Sequence, residues 1–340
     1  MLNVHKLWLF SCLCIIVIIV LYYQSQIARL EDSFRRLEYK QTVAHFDSRQ
    51  FFPKPTARGD DDLVVIYNRV PKTGSTSFVG VAYDLCKKNK FKVLHINVTA
   101  NMHVLSLSNQ YKFAQNITKW NDVKPALYHG HMAFLNFNNL GVKSKPIFVN
   151  LIRKPLDRLV SYYYFLRNGD NFRPHLVRKK HGDKMTFDEC VERGQPDCDP
   201  NNMWMQVPFF CGHAAQCWKP GNLWALQQAK YNLVNNYLVV GVTEEMLEFI
   251  TILETVLPRM FKGATEHYLN SNKSHLRQTS AKIEPNQQTI EKIKQSPIWR
   301  MENELYEFAL EHFKFVKKKI LLRETNSVEQ VFFYEKIRPK

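Results

Sequence analysis

The stretch from Leu63 to Tyr83 reads Leu-Val-Val-Ile-Tyr-Asn-Arg-Val-Pro-Lys-Thr-Gly-Ser-Thr-Ser-Phe-Val-Gly-Val-Ala-Tyr, and it decides the fold. The apolar, β-branched residues 63–67 have the length of a buried strand, and residues 75–86 have helical periodicity. Between them lies a short polar loop that contains Lys72 and Gly74. A strand, a loop and a helix N-terminus in this order predict an anion site, because unpaired backbone amides and the positive end of the helix dipole face the loop.

This loop is rich in groups that bind anions. Gly74 lets the backbone approach a ligand closely, and Lys72 supplies a cation. Hydroxyl donors come from Thr73, Ser75, Thr76 and Ser77. In Walker A the Lys follows the second Gly, whereas here it precedes the Gly, so the order argues against an NTPase. A glycine turn capped by Ser and Thr, without a ligand, is the structural alternative.

Length and charge bound the class of protein. A chain of 340 residues can bury a sizeable core, so we expect one large domain with appendages. The chain carries 47 Lys and Arg against 31 Asp and Glu, a formal net charge of +16. A balance this basic indicates a polyanionic partner: nucleic acid, an anionic membrane or a sulfated or carboxylated glycan.

The first residues predict a membrane anchor. Residues 7–23 form an almost unbroken apolar run, near the short end of the lengths that span a bilayer. No small-residue cleavage site follows it, so we interpret the run as an uncleaved signal anchor, with a cleaved signal peptide as the alternative. Residues 1–6 are then a cytoplasmic tail, 24–61 a stem and 62–340 the main domain. Apolar residues spaced three and four apart predict a short stem helix that either self-associates or is solvated: Ile27, Leu30, Phe34 and Leu37.

Glycosylation sequons orient the chain. Three of them begin at Asn97, Asn116 and Asn272, and we predict glycans at the first two. Each sequon is weak evidence alone, but together with an anchor they favour a lumenal main domain. A lumenal domain removes nucleic acid from the candidate partners.

Four cysteines fall close together in one segment. They are Cys190, Cys198, Cys211 and Cys217. Three pairings are possible, and we favour pairing in sequence order, which closes two short loops. A zinc site that includes His213 is the alternative, but neither of these two gaps has the usual zinc-ligand spacing. We expect Cys86 to be a free, buried thiol.

Strand and helix signals alternate through the main domain. The predicted strands are 63–67, 91–97, 126–129, 146–152 and 237–242, and the predicted helices are 75–86, 105–116, 156–167, 223–235 and 244–257. This alternation predicts an α/β fold with a central parallel sheet flanked by helices. Ligands in such folds bind at the carboxyl ends of the strands. Charged residues and histidines follow the predicted strands there: Arg69, Lys72, His129, His131 and Arg153.

The two histidines are candidates for acid–base chemistry. His129 and His131 lie in Tyr-His-Gly-His at a predicted strand end. Imidazole is the natural general base near neutral pH. Packing and hydrogen bonding are the structural alternative, and a metal site is disfavoured because no third ligand lies nearby in the sequence.

Two segments resemble those of sulfotransferases that use 3′-phosphoadenosine 5′-phosphosulfate (PAPS). Residues 71–76, Pro-Lys-Thr-Gly-Ser-Thr, resemble the loop that binds the 5′-phosphosulfate. The second signature of that family is a strand followed by an Arg and, eight residues later, a Ser, which hold the 3′-phosphate. Arg153 and Ser161 have this spacing after the predicted strand 146–152.

Further motifs make the chain similar to the heparan sulfate 2-O-sulfotransferase family. They are residues 69–77, Tyr83–Cys86, Tyr128–His131, Arg158–Arg167 and Pro208–His213. The resemblance covers most of the chain, from about Asp62 to the terminal segment Phe332–Ile337. It implies a P-loop-like sulfotransferase fold.

The same resemblance implies a role for each site residue. His131 would be the catalytic base, His129 would orient the uronic acid, and Lys72 would stabilise charge on the departing phosphate. The nucleotide would be held by Lys72, Thr73, Gly74, Ser75, Thr76, Ser77, Arg153 and Ser161, with Ser274 and Thr279 closing over it. The acceptor would be contacted by Arg69, Tyr83, His95, Tyr162, Arg173, Arg178 and Arg277. A solvated basic face is the alternative for residues 178–180.

The implied activity is transfer of a sulfuryl group from PAPS to the 2-hydroxyl of iduronic, less often glucuronic, acid in heparan sulfate, without a metal. The alternatives are a uronyl 2-O-sulfotransferase for dermatan or chondroitin sulfate, and a heparan-binding membrane protein without turnover. The resemblance also implies a Golgi type II membrane protein that forms a homotrimer and associates with glucuronyl C5-epimerase.

Overall fold

The computed structural model describes residues 17, 19–24, 26, 60–97, 102–142, 145–271 and 278–325. The chain divides into two compact units, residues 1–47 and 48–340. The described residues of the first unit are helical. Among the residues described, no helix has both the length and the hydropathy that crossing a membrane requires. Most of the predicted anchor, and all of the predicted stem helix, lies outside the described residues.

The second unit contains a five-stranded sheet surrounded by helices. Its strands are β1 Val64–Asn68, β2 Lys92–His95, β3 Ala126–Gly130, β4 Ile147–Ile152 and β5 Tyr237–Val242. Its helices are α1 Ser75–Lys88, α2 Leu107–Lys119, α3 Pro155–Asn168, α4 Phe187–Glu192, α5 Gln206–Cys211, α6 Leu223–Asn235, α7 Met246–Val256, α8 Pro258–Phe261, α9 Ala264–Asn270, α10 Gln287–Lys294 and α11 Pro297–Thr325. Every strand and helix predicted in this unit is present; the bounds of helix 223–235 and strand 237–242 are as predicted, and the other elements have shifted ends. The strand predicted over 91–97 is shorter, and the helix predicted from residue 244 begins at Met246.

The order of the strands places a crevice beside β1. The sheet runs β2-β3-β1-β4-β5, and every pair is parallel. All residues of β1 and β3 are buried, as expected for parallel strands covered on both faces. The chain leaves β1 toward β2 and β3 on one side and then crosses to β4 and β5 on the other. Ligands bind such sheets at this switch point, outside the carboxyl ends of the strands.

Close packing fixes α1 and α7 against the sheet. The ring of Phe78 on α1 lies 4.9 Å from that of Tyr67 on β1 and 5.2 Å from that of Phe249 on α7, measured between centroids. Phe249 lies directly over Gly241 of β5, where a Cβ atom would be 2.4 Å from its ring. Only glycine permits this approach, so α7 sits closer to the sheet than a side chain would allow.

A buried polar network joins three neighbouring strands of the sheet. The Asn150 amide donates to the carbonyl and side-chain oxygens of Asn68, at 2.8 and 3.0 Å. The Tyr237 hydroxyl donates to the same Asn68 side-chain oxygen at 3.0 Å. These bonds join β1, β4 and β5 and satisfy groups whose burial would otherwise be costly. They give the loops above them a rigid base.

Both disulfides close short loops. Cys190 pairs with Cys198 and Cys211 pairs with Cys217, which is pairing in sequence order. Cys86 is free, as expected, but it is only half-buried. The expectation of a fully buried thiol was wrong, since Cys86 lies in the last turn of α1 between the exposed residues Asp84 and Lys87.

Candidate active site

The loop between β1 and α1, residues 69–74, has the geometry of an anion cradle. Lys72 and Gly74 both have left-handed backbone angles, with φ of 68° and 71°. Such an angle costs a lysine about 1 kcal/mol or more, and strain of this kind concentrates at functional sites. Helix α1 begins directly after Gly74, with no side chain capping it and no acidic residue in its first turn. Its first amides are therefore oriented for a ligand oxygen.

The hydroxyls of the loop divide into two groups. Thr73 is fully buried, and its hydroxyl donates to the Val70 carbonyl at 3.0 Å, so this side chain shapes the loop. The Thr243 hydroxyl at the end of β5 donates to the Thr73 carbonyl at 3.0 Å and reinforces the same turn. Ser75 and Ser77 are buried in the first turn of α1, whereas Thr76 is half-exposed. Any contribution of Thr73 to a bound anion comes from its backbone amide.

The Lys72 ammonium is held above the loop by two neighbours. Its Nζ donates to Thr279 Oγ1 at 3.0 Å and lies over the Phe165 ring, 4.3 Å from the centroid. Thr279 Oγ1 is also 3.2 Å from the Ser161 hydroxyl. Residues 72, 161 and 279, all predicted as nucleotide ligands, therefore meet at one point. Ser274 and Arg277 lie outside the described residues.

Arg153 is fixed at its backbone by a residue that sequence reasoning missed. The buried Gln206 side chain accepts from the Arg153 amide and donates to the Arg153 carbonyl, each at 2.9 Å. The Arg153 guanidinium in turn donates to the Lys72 carbonyl at 3.3 Å. The two predicted anion ligands Lys72 and Arg153 are thus in direct contact. No sequence signal identifies Gln206, because it lies 53 residues from Arg153.

A buried carboxylate holds Gln206 in turn. Glu302 on α11 accepts from the backbone amides at the start of α5, those of Met205, Gln206 and Val207, at 2.8, 3.2 and 3.1 Å. Burial raises the pKa of Glu302, while the charge of the buried Arg158 opposes that rise. A carboxylate at a helix N-terminus is also stabilised by the helix dipole. Glu302 therefore positions α5, and through it Gln206 and Arg153.

The hydrogen bonds of His131 leave one nitrogen suited to a base. Its Nδ1 lies 2.8 Å from the Arg69 carbonyl oxygen. A carbonyl only accepts, so Nδ1 carries the proton and Nε2 carries the lone pair. The carbonyl also fixes the orientation of the ring. His131 thus offers a pre-oriented acceptor for a substrate proton.

His129 has the opposite tautomer. Its Nδ1 lies 3.4 Å from Nη1 of Arg69, which can only donate, so this nitrogen accepts. Its Nε2 then donates to the Tyr83 hydroxyl at 3.0 Å. Both nitrogens of His129 are engaged, and the ring is only 3% exposed. Of the two histidines, His131 is the better base and His129 the better orienting group.

Burial and the neighbouring Arg69 keep both rings neutral. Desolvation and then the Arg69 charge lower the pKa of His131 to about 3. The same two causes, in the same order, lower the pKa of His129 to about 3, with a further contribution from His95. A base must be unprotonated to accept a proton, so both shifts favour that state at neutral pH.

The predicted acceptor residues fall into two sets. Tyr83 and Tyr162 are 47% and 39% exposed, and His95 and Arg173 are also exposed, so their side chains are accessible. The Arg178 side chain is only 11% exposed and pairs with the buried Asp170 at 3.4 Å. The alternative of a solvated basic face therefore does not describe Arg178. The sequons predicted to be occupied begin at exposed asparagines, Asn97 and Asn116.

Comparison with known proteins identifies the family. A model of the sulfotransferase family matches residues 55–309. The chain belongs to the sulfotransferase family. A Drosophila melanogaster protein named heparin sulfate O-sulfotransferase is 67% identical to this sulfotransferase over 281 residues, 83% of this chain and 80% of the relative. The Gallus gallus and Homo sapiens proteins named heparan sulfate 2-O-sulfotransferase 1 are each 53% identical over 333 residues, 94% of this chain and 93% of each relative.

The site suits the sulfate donor of this family. Sulfotransferases take their sulfuryl group from PAPS, an anion with a phosphosulfate at one end and a 3′-phosphate at the other. The sulfotransferase offers an uncapped helix N-terminus and two cationic residues, with the Arg153 guanidinium bonded to the backbone carbonyl of Lys72. The hydroxyls of Ser161 and Thr279 lie on the same side as Lys72. Donors of this number and charge fit a ligand with several phosphoryl oxygens.

Proposed function

We propose that this sulfotransferase transfers a sulfuryl group from PAPS to the 2-hydroxyl of iduronic, and less often glucuronic, acid in heparan sulfate. One observation carries the proposal: the His131 tautomer that leaves Nε2 unprotonated, at the same sheet edge as the Lys72 and Arg153 cations. The names of the relatives add the acceptor, since they specify heparan sulfate and the 2-O position. A net charge of +16 agrees with a sulfated, carboxylated acceptor.

Different residues of the chain have different roles in the reaction. PAPS, when bound, supplies the sulfuryl group and leaves as the desulfated nucleotide PAP. His131 Nε2 accepts the proton of the attacking hydroxyl, which makes the oxygen a better nucleophile. Lys72 and the first amides of α1 stabilise the charge that develops on the departing phosphate. Arg153 and Ser161 hold the 3′-phosphate, and His129 orients the uronic acid.

We assign binding of the acceptor to a set of arginines, tyrosines and one histidine. Arg69, Arg173 and Arg277 pair with carboxylate and sulfate groups, a role that suits the planar guanidinium. Tyr83, His95 and Tyr162 provide hydrogen bonds and flat surfaces beside them. Ser274 closes over the nucleotide from the segment that precedes Thr279.

We further propose the setting in which the enzyme works. It is a Golgi type II membrane protein with residues 7–23 as its anchor and glycans at Asn97 and Asn116. It forms a homotrimer and associates with glucuronyl C5-epimerase, which produces the iduronic acid that it sulfates. The support for this setting is the apolar run, the sequons and the biosynthetic role that the relatives' names imply.

The acceptor is tested with a panel of glycans. Full-length protein is given radiolabelled PAPS with N-sulfated heparosan, epimerised heparosan and dermatan, and the labelled products are analysed as disaccharides. We expect label at the uronic 2-O position of the heparan substrates. Label in dermatan alone would favour a uronyl 2-O-sulfotransferase of the other class, and binding of heparan without any transfer would indicate a protein without turnover.

A further inference from the structure

Five residues at the edge of the site are joined in a closed circuit of side-chain contacts and one backbone bridge, which we call the Lys72 ring: Lys72, Thr279, Asp170, Arg178 and Phe165. Lys72 Nζ donates to Thr279 Oγ1 at 3.0 Å, and Thr279 pairs with Asp170 in an isolated antiparallel bridge. Asp170 Oδ2 accepts from Arg178 Nη2 at 3.4 Å. The Arg178 guanidinium and the Lys72 ammonium both lie over the Phe165 ring, each 4.3 Å from its centroid.

Burial makes these contacts strong. Asp170 is 1% exposed, and a buried carboxylate that loses its partner costs several kcal/mol. Cations over an aromatic face are attracted more strongly as water is excluded. Phe165 is half-buried between the two cations and the body of α3. The Lys72 ring is therefore expected to move as one unit.

Hydrogen bonds donated by backbone amides join two chain segments of the Lys72 ring, the loop after α3 and the residues around Thr279. The Asn171 amide donates to the Gln278 carbonyl at 3.2 Å, and the Gln278 amide donates to Asn171 Oδ1 at 2.8 Å. The Ser280 amide donates to the Gly169 carbonyl at 3.3 Å. The loop after α3 and the segment around Thr279 cannot shift independently while these bonds hold.

The Lys72 ring connects the part of the site that receives the nucleotide with the part that is proposed to bind the acceptor. Lys72 belongs to the loop that receives the nucleotide. The exposed Arg173 is a proposed acceptor ligand. Its backbone amide donates to Asp170 Oδ1 at 3.0 Å, so Arg173 and Arg178 are bonded to the same carboxylate. Asp170 therefore connects the residue that meets the nucleotide to the residue that meets the glycan.

We propose that the Lys72 ring couples binding of the nucleotide to binding of the acceptor, with Phe165 and Arg178 as positioning residues. The inference rests on the proposed function and assigns Arg178 a role other than direct contact with the acceptor. A phosphate that fixes Lys72 also fixes Phe165, Arg178 and Asp170, and so pre-orders the loop that carries Arg173. Coupling of this kind is reciprocal, so a bound acceptor tightens the nucleotide by the same factor.

The test measures PAP binding to the full-length protein by calorimetry, with and without a saturating N-sulfated heparan oligosaccharide. In the wild type we expect the oligosaccharide to lower the Kd of PAP about 5-fold or more. Phe165→Leu removes the aromatic ring that both cations contact, and we expect the ratio of the two Kd values to fall to about 1. Phe165→Tyr keeps an aromatic ring and should retain the coupling. Phe315→Leu is the matched control, since it removes a similar lysine–aromatic contact, that of Lys319 on α11.

A second variant approaches the Lys72 ring from the other side. Arg178→Lys keeps the charge beside Asp170 but loses the planar group that stacks on Phe165, so it should also weaken the coupling. This variant decides the matter if Phe165→Leu does not fold. Wild-type binding without coupling, or coupling that survives in both Phe165→Leu and Arg178→Lys, would overturn the inference. A wild type that binds no PAP would instead overturn the proposed function on which it rests.

Discussion

The neutral state of His131 predicts an unusual pH profile. The perturbation is a change of pH from 7 to 5. A histidine with an ordinary pKa of about 6.5 would lose its neutral form about 25-fold over this range. Because burial and then Arg69 lower the pKa of His131 to about 3, the ring stays neutral at both values. We therefore expect the kcat/KM for PAPS to change less than about 2-fold between pH 7 and pH 5.

The assay must separate the effect of protonating the base from the effect of protonating the nucleotide's phosphates. Initial rates are measured at limiting PAPS and constant ionic strength, because kcat/KM reports the free enzyme. The Kd of PAP is measured at each pH as a control, since a phosphate monoester titrates near pH 6. Arg69→Gln should move the acid limb toward neutral pH, because it removes the second cause of the shift. A tenfold fall in wild-type kcat/KM per pH unit below 6.5, at unchanged Kd, would refute the reasoning.

Three further outcomes follow from particular contacts. Gln206→Leu frees the Arg153 backbone, so we expect PAP affinity to fall about 10-fold while adenosine 5′-phosphate, which lacks the 3′-phosphate, is unaffected; calorimetry showing equal losses would contradict this. Gly130→Ala places a Cβ 2.6 Å from the Ile96 carbonyl oxygen and should shift the adjacent histidines, lowering kcat about 100-fold or more; an unchanged kcat would contradict it. The lowered pKa values of His129 and His131 make the unfolded state bind about two more protons, so these two groups together should lower the free energy of unfolding by about 2.7 kcal/mol per pH unit below 6.5, until the pH approaches 3; a flat urea-denaturation midpoint would contradict it.

The strands, the first helix and the anion loop were predictable because residues close together in the sequence determine each of them. A β-branched run and a helical period fix β1 and α1, and the polar loop must lie between them. The carboxyl ends of parallel strands meet at one edge of the sheet, so the sequence alone predicts that His131 and Lys72 lie at the same edge. The four cysteines allowed three pairings, and the favoured one, in sequence order with two short loops, is the one in the structure.

Roles that depend on distant partners were not predictable. Gln206 reads as an ordinary polar residue until its two bonds to Arg153 are seen, and its support from Glu302 spans 96 residues. Arg178 reads as part of a solvated basic run because the sequence does not show that Asp170 is buried beside it. Thr73 matched a family motif, but its burial turns the hydroxyl toward its own loop. In each case tertiary packing, not local pattern, decides what the side chain does.

The most direct test of the central claim is sulfate transfer by His131→Ala. Full-length wild type, His131→Ala and His129→Ala are compared for transfer from radiolabelled PAPS to epimerised heparosan, with PAP affinity measured for each. If Nε2 of His131 is the base, His131→Ala should lose transfer by about 100-fold or more while its PAP affinity stays at the wild-type value. Transfer by His131→Ala at a rate near that of the wild type, with normal PAP binding, would contradict the assignment.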